Sequence, residues 1–244
     1  MTQTVLVTGA ASGIGLACTK LLLADGHRVL AFDPQLERMK AALPASPALE
    51  LFGGDVSKTA DCAAAVARTV ERFGGLDALI HWGAAHSSKR WDELDADECN
   101  YIMSVNVTGS FLISQAAARH MMAHDGGSIV LTTSTSILQG ITGGNGQGGP
   151  AYTSSKGAII ALNRSLARSL APKIRVNAVS PGIAETAMIG GYTPEQREAM
   201  TKRFPMGRFG TPEEIAHAAI FLISEKASFI TGEVIHVNGG SNFN

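Results

Sequence analysis

Short apolar-rich runs recur along the chain. They are Val5-Leu6-Val7, Val29-Leu30-Ala31-Phe32, Leu49-Glu50-Leu51-Phe52, Ala78-Leu79-Ile80, Ile129-Val130-Leu131, Arg175-Val176-Asn177-Ala178-Val179 and Val234-Ile235-His236-Val237. Runs this short and this apolar mark strands buried on both faces, and the stretches between them carry helical periodicity. Strands alternating with helices predict parallel strands joined by crossover helices that cover both faces of the sheet. The expected class is α/β: a doubly wound, mostly parallel seven-stranded sheet. No internal repeat of solenoid length interrupts the series.

One segment departs from the rhythm. Gly140 to Pro150 reads G-I-T-G-G-N-G-Q-G-G-P, and six glycines are too many for a helix or strand. It is too short to link two domains, so a loop is expected. Two readings stand for it: a wall of a substrate site, or a surface loop without a role.

The 244 residues suffice for a sizeable core, and one domain over 1–244 is expected. With 20 Lys and Arg against 21 Asp and Glu, the chain offers no basic field for nucleic acid and no polybasic anchor for a membrane. A small-molecule partner fits that balance better. The opening M-T-Q-T-V-L-V-T-G has no charged segment leading into a long apolar one, and no apolar run approaches about 18 residues. A cytoplasmic protein is expected. Cys18, Cys62 and Cys99 are isolated, without C-x-x-C spacing, and read as structural thiols; no metal site is expected.

Two constellations carry chemistry. Thr8 to Gly15, T-G-A-A-S-G-I-G, follows the first strand and opens a helix. Gly9, Gly13 and Gly15 remove side chains where backbone turns tightly, approaches a pyrophosphate or packs on the sheet, and the helix N-terminus faces the anion. The fold is therefore read as a Rossmann-type domain, with a cofactor half over about 1–130 and a catalytic and substrate-loop half over about 131–244. Asp33 ends the second strand, where a carboxylate can accept hydrogen bonds from adenosine ribose hydroxyls; it can equally start a turn before Pro34. The second constellation is Tyr152 and Lys156, four positions apart and so on one helix face. A free tyrosine titrates near about 10, and a neighbouring ammonium favours phenolate. Tyr152 reads as a general acid/base.

In order along the chain stand T-G-x-x-x-G-I-G, Asp55-Val56, Asn106 in S-V-N-V-T-G, Ser134, Tyr152 with Lys156, S-P-G-I-A-E-T from Ser180 and G-R-F-G-T-P-E-E-I-A from Gly207. This series resembles the classical short-chain dehydrogenase/reductase family from Thr4 to about Phe243. The resemblance implies that Ser134 orients the substrate oxygen and Tyr152 exchanges the proton. It implies that Lys156 lowers the tyrosine pKa and binds the nicotinamide ribose, and that Asn106 holds a water linking Lys156 to solvent. Asp55 and Val56 are expected near the adenine, and Thr186 and Ile183 near the nicotinamide. Ser12, Ile14, Gly83 and Pro181 complete the expected cofactor wall. Ser136 is an alternative to Ser134 within T-T-S-T-S. A tetramer is implied, with the C-terminal I-T-G-E-V-I-H-V-N-G-G segment near an interface.

The chain also departs from the family. His81-Trp82-Gly83-Ala84 stands where N-N-A-G is usual, with His81 and Trp82 read as core fillers, and the Gly140–Pro150 loop is longer than the family pattern. Beyond Thr186, Met188, Tyr192, Met200, Phe204 and Met206 are expected to form an apolar substrate lid, with His86 in the loop after the fourth strand helping to choose the substrate. NAD is the expected cofactor, because Asp33 would repel a 2′-phosphate and Ser12 supplies no compensating cation; Arg38 is the nearest downstream cation. The leading reading is an NAD-dependent dehydrogenase or reductase of a small secondary alcohol or ketone of polyol, sugar or hydroxy-acid type. Reduction of 3-oxoacyl thioesters and a catalytically silent nucleotide-binding regulator are the alternatives.

Overall fold

A computed structural model describes residues 2–144, 146–186 and 192–243. Among the described residues the strands are β1 (Thr4–Thr8), β2 (Arg28–Asp33), β3 (Leu49–Gly53), β4 (Ala78–His81), β5 (Gly127–Thr132), β6 (Ile174–Pro181) and β7 (Val234–Val237). They form one seven-stranded sheet in the order β3-β2-β1-β4-β5-β6-β7, with every neighbouring pair parallel. All seven apolar runs are strands, as their brevity predicted. β6 reaches further than expected: Ser180 and Pro181 lie inside it, in register with His236 and Val237 of β7.

The helices are α1 (Gly13–Ala24), α2 (Leu36–Ala42), α3 (Thr59–Phe73), α4 (Ala96–Met103), α5 (Gly109–Ala123), α6 (Ser136–Gln139), α7 (Pro150–Leu170), α8 (Pro194–Thr201) and α9 (Pro212–Ile223), with a π-helical turn at Ser104–Thr108 between α4 and α5. Alternation along the strands divides the core into two layers. Val5 and Val7 of β1 pack in one cluster with Cys18 and Leu22 of α1 and Ile215 and Leu222 of α9. Leu6, between them, belongs to the opposite cluster with Val66 of α3, Ile113 of α5 and Ile159 of α7. Burial pushes the Cys18 and Cys62 thiols up to about 12, so both are inert at neutral pH.

The chain winds outward from β1 through β2 to β3, then returns to β4 on the other side of β1. Helices leave the sheet in opposite directions there, and the carboxyl ends of β1 and β4 flank a crevice. Among the described residues no helix is long and apolar enough to cross a membrane, and no cluster of His, Cys, Asp and Glu is suited to a metal ion.

Candidate active site

A cavity of about 800 Å³ opens at this crevice and runs from Asp33 to Tyr152. That volume lies in the range of small-molecule clefts. Gly9, Ser12, Gly13, Ile14 and Gly15 border it where β1 turns into α1, and α1 starts at Gly13 with its N–H groups unpaired by any Ser12 side-chain cap. Gly9 has φ of +68°, and a Cβ there would sit 2.7 Å from the Gly83 nitrogen. Only glycine lets the β1 turn and the β4 loop approach so closely. The rest of the expected cofactor wall borders the same cavity: Asp33, Asp55, Val56, Gly83, Pro181, Ile183 and Thr186.

The Asp33 carboxylate is buried and held by two amides, Ala11 N–H at 3.2 Å and Gln35 N–H at 2.9 Å, each on a different oxygen. The Gln35 bond is the turn expected before Pro34, yet each oxygen keeps further acceptor capacity, and Asp33 borders the cavity. Arg38 also borders the cavity and reaches Gln35 Oε1 at 3.4 Å. Asp55 accepts from the Ser57 amide and hydroxyl at 2.9 and 2.8 Å, which fixes the turn after β3.

At the other end, Pro150 sits at the first position of α7, where a missing N–H costs nothing, and this start places Tyr152 and Lys156 in the helix's first two turns. Lys156 is buried, donates to Thr132 O at 3.0 Å, and holds its Nζ 5.7 Å from the Tyr152 ring centroid. Burial lowers its pKa to about 8. Burial raises the Tyr152 pKa, while a hydrogen bond with Ser134 acts in the opposite direction. The sequence suggested that the Lys156 charge would dominate; in this structure desolvation is the larger effect on the phenol. Tyr152 is therefore protonated at neutral pH, the state in which it can donate to a carbonyl oxygen. Ser134 is the serine beside Tyr152; the Ser136 hydroxyl is buried without a partner, and its amide donates to Ser134 Oγ at 3.2 Å.

Asn106 does not border the cavity. It lies in the π-helical turn, 1 % exposed, with Oδ1 accepting from Ala85 N–H at 2.7 Å and Nδ2 donating to Ala85 O and Ser155 Oγ, both at 2.9 Å. Its carboxamide thus clamps the loop after β4 to α7, one residue from Lys156. His81 and Trp82 are buried. His81 Nδ1 meets Thr8 Oγ1 at 2.6 Å, and burial, assisted by the Lys156 charge, lowers its pKa to about 3, so the ring is neutral. His86 borders the cavity with its ring 4.8 Å from that of Tyr152; burial and then Lys156 lower its pKa as well.

The glycine-rich loop is pinned against the loop after β4 through Gly144 N–H to Ser88 O at 2.7 Å and Gly149 N–H to Ser87 O at 2.8 Å. Ile141, Gly146, Gln147 and Gly148 border the cavity, which favours the substrate-wall reading over an inert surface loop. A Cβ at Gly148 would lie 2.5 Å from Tyr152 Cδ1, so the loop can cover this ring only with glycine there. Tyr192, Met200 and Phe204 border the same end. Met206, expected in the lid, is instead 65 % exposed, because the turn after Phe204 swings it outward past Gly239; Met188 lies outside the described residues. Gln147 and Arg203 also border the cavity, and neither was singled out from sequence. A lone polar residue in a loop or helix end carries no periodic signal, and only the folded chain places it.

With this geometry in view, the similarities are specific. The family model described as enoyl-(acyl carrier protein) reductase matches residues 9–242. The chain is 38% identical over 249 residues to 2-(S)-hydroxypropyl-CoM dehydrogenase 3 of Xanthobacter autotrophicus, covering 98% of this chain and 96% of the relative. Among solved structures it superposes with TM-score 0.92 and 33% identity on a short-chain glucose/ribitol dehydrogenase from Brucella melitensis, over 100% of both chains. A 3-ketoacyl-(acyl-carrier-protein) reductase from the same organism, complexed with NADH, matches with TM-score 0.88 and 30% identity over 99% of this chain and 98% of that one. The chain belongs to the short-chain dehydrogenase/reductase family, nicotinamide-dependent oxidoreductases that act on alcohols and ketones.

Proposed function

We propose that the chain is an NAD(H)-dependent oxidoreductase interconverting a small secondary alcohol and its ketone, with Ser134, Tyr152 and Lys156 as its catalytic residues and Asn106 as their positioning residue. The observation that carries this reading is one continuous cavity with the Asp33 carboxylate at one end and Tyr152 beside Ser134 at the other. Bound nicotinamide supplies or accepts the hydride. The glycine turn and the α1 N-terminus would hold its diphosphate, Asp33 its adenosine ribose, Asp55 and Val56 the adenine side, and Ile183 and Thr186 the nicotinamide side. Ser134 and Tyr152 then fix the carbonyl oxygen between two hydroxyls, and Tyr152 donates the proton that this oxygen needs as the carbon is reduced. Lys156 keeps positive potential under the phenol, which eases loss of that proton and its return in the reverse direction. Asn106 holds the loop carrying His86 against α7, so the substrate wall and the proton donor keep one spacing.

The same reading takes the domain as one unit over 1–244, a cytoplasmic location and a homotetrameric assembly. A second chemistry, reduction of 3-oxoacyl thioesters, is favoured by the likeness to the 3-ketoacyl-(acyl-carrier-protein) reductase; a near-neutral chain with formal charge -1 favours small free substrates over an acidic carrier partner. A panel of secondary alcohols, ketones and 3-oxoacyl thioesters, followed by NADH absorbance, ranks the two.

Cofactor choice gives a sharper test. A 2′-phosphate would meet Asp33, and two unit charges about 4 Å apart interact by roughly 4 kcal/mol at an effective dielectric of 20. Half of that amounts to more than about tenfold in kcat/KM. The expected result is preference for NAD⁺ over NADP⁺ by at least this factor, narrowed in Asp33→Ser because Arg38, on the same cavity wall, then faces the phosphate unopposed. Equal use of both cofactors by the wild type, or an unchanged gap in Asp33→Ser, would refute the assignment.

A further inference from the structure

The cations of the segment from Thr193 to Arg208 divide into two kinds. Arg197 pairs with Glu185, Lys202 with Glu198 and Arg208 with Glu214. Arg203 has no carboxylate partner among the described residues, and of these four cations it alone borders the cavity. Its backbone N–H donates to Met200 O at 3.0 Å, so Arg203 belongs to the same turn that sets Met200 and Phe204 into the cavity wall.

The charge of the cavity is divided as well. Its described acidic residues are Asp33 and Asp55, at the carboxyl ends of β2 and β3, on the side of the sheet away from β5 and β6. Its described cations are Arg38, beside the Asp33 end, and Lys156 and Arg203; the Met200–Phe204 turn that carries Arg203 packs with Tyr192, which meets the Gly146 loop that covers Tyr152, and burial keeps His86 neutral there. An uncompensated guanidinium at the mouth of an apolar-walled cleft matches a planar oxyanion, which it can grip with two parallel hydrogen bonds. Gln147, from the glycine-rich loop, adds an amide donor to the same chamber.

We infer that the substrate is an oxo acid or hydroxy acid, a secondary alcohol or ketone carrying a carboxylate or equivalent oxyanion, and that Arg203 is the residue that selects it. The inference rests on the reading of Tyr152 and Ser134 as the reaction centre and narrows its substrate. Tyr152 and Ser134 take the reacting oxygen, Tyr192, Met200 and Phe204 enclose the carbon chain, and Arg203 holds the charged end at the mouth. Because Arg203 is exposed, water screens part of the attraction, and the selection is about tenfold rather than the much larger factors of fully desolvated pairs.

The test uses 3-oxobutanoate, 4-oxopentanoate and 5-oxohexanoate, each beside its neutral amide, with NADH and with wild type, Arg203→Gln, Arg203→Lys and Tyr152→Phe. The wild type is expected to favour at least one acid over its amide by about tenfold in kcat/KM. Arg203→Gln is expected to erase that ratio mainly through KM, and Arg203→Lys to restore part of it. A sulfonate, tested as the matching keto-sulfonate, should follow the acid, because charge is what Arg203 reads; a keto-sulfonate that falls with the amide overturns the extension to other oxyanions. An acid-to-amide ratio near one in the wild type, or an unchanged ratio in Arg203→Gln, overturns the anion site. So does a loss of NADH affinity in Arg203→Gln equal to the loss for the acid, which would place the guanidinium on the cofactor diphosphate. Near-normal turnover in Tyr152→Phe overturns the reaction centre itself, whatever Arg203 does.

Discussion

Tyr152→Phe is expected to lose about 10²- to 10⁴-fold in kcat for both alcohol oxidation and ketone reduction while still binding NADH. The substitution keeps the ring, which packs 4.8 Å from the His86 ring and under the Gly148 backbone, and removes only the hydroxyl. Protein stability should therefore barely change, since the half-buried phenol's hydrogen bond is with Ser134, whose hydroxyl also serves the Ser136 amide. Ser134 alone would remain at the carbonyl oxygen, a donor able to orient the substrate but with no cation beneath it to ease proton loss. Steady-state kinetics with a separate NADH titration checks this; near-normal kcat in a variant that binds NADH would remove Tyr152 from the chemistry.

Lys156→Met is expected to produce a protein that is inactive and more stable. Turnover should fall by about 10²-fold or more, because the positive potential under Tyr152 disappears. Stability moves the other way. The Lys156 ammonium is buried with no carboxylate partner, one hydrogen bond to Thr132 O, and a pKa lowered from 10.5 to about 8. Below pH 8 both native and unfolded chains carry the charge, so the full burial cost is present; between 8 and 10.5 the native chain has released a proton that the unfolded chain still binds, and the cost fades. That cost is on the order of 3 kcal/mol. Urea denaturation without cofactor should find Lys156→Met more stable than wild type at pH 7, with the gap shrinking as pH rises toward 10.5. A variant that is less stable at pH 7 would mean that the ammonium is not under strain in the empty site.

Much of this architecture could be read before folding, for definable reasons. Strand runs such as Val29 to Phe32 are continuous because parallel strands are covered on both sides, and a turn with Gly9, Gly13 and Gly15 has few other uses between a strand and a helix. Tyr152 and Lys156 were legible because four positions on a helix fix their relation. What resisted reading depends on where separate segments meet. Tyr192 and Met206 look alike as apolar lid residues, yet one packs beside Phe204 and Phe209 and the other faces solvent. Asn106 looks like a helix polar residue until the π-helical turn aims its carboxamide at Ala85 and Ser155. Arg203 is one of four cations in its segment, distinguished by its place on the cavity wall and by the pairing of the other three with Glu185, Glu198 and Glu214. The balance at Tyr152 is not legible in the sequence, because helical spacing gives the distance to a charge but says nothing about how much water the fold removes.

The central claim is hydride exchange between nicotinamide and a carbinol carbon held at Tyr152. It is tested most directly with NADH carrying deuterium at its transferable C4 position, incubated with the ketone and oxo-acid panel, and analysed by mass spectrometry and proton NMR of the products. The account predicts one deuterium on the carbinol carbon of the product alcohol with wild type, and none above background in the same time with Tyr152→Phe. A wild-type protein that binds NADH yet yields no labelled alcohol from any ketone, or that releases the deuterium to solvent, would contradict it.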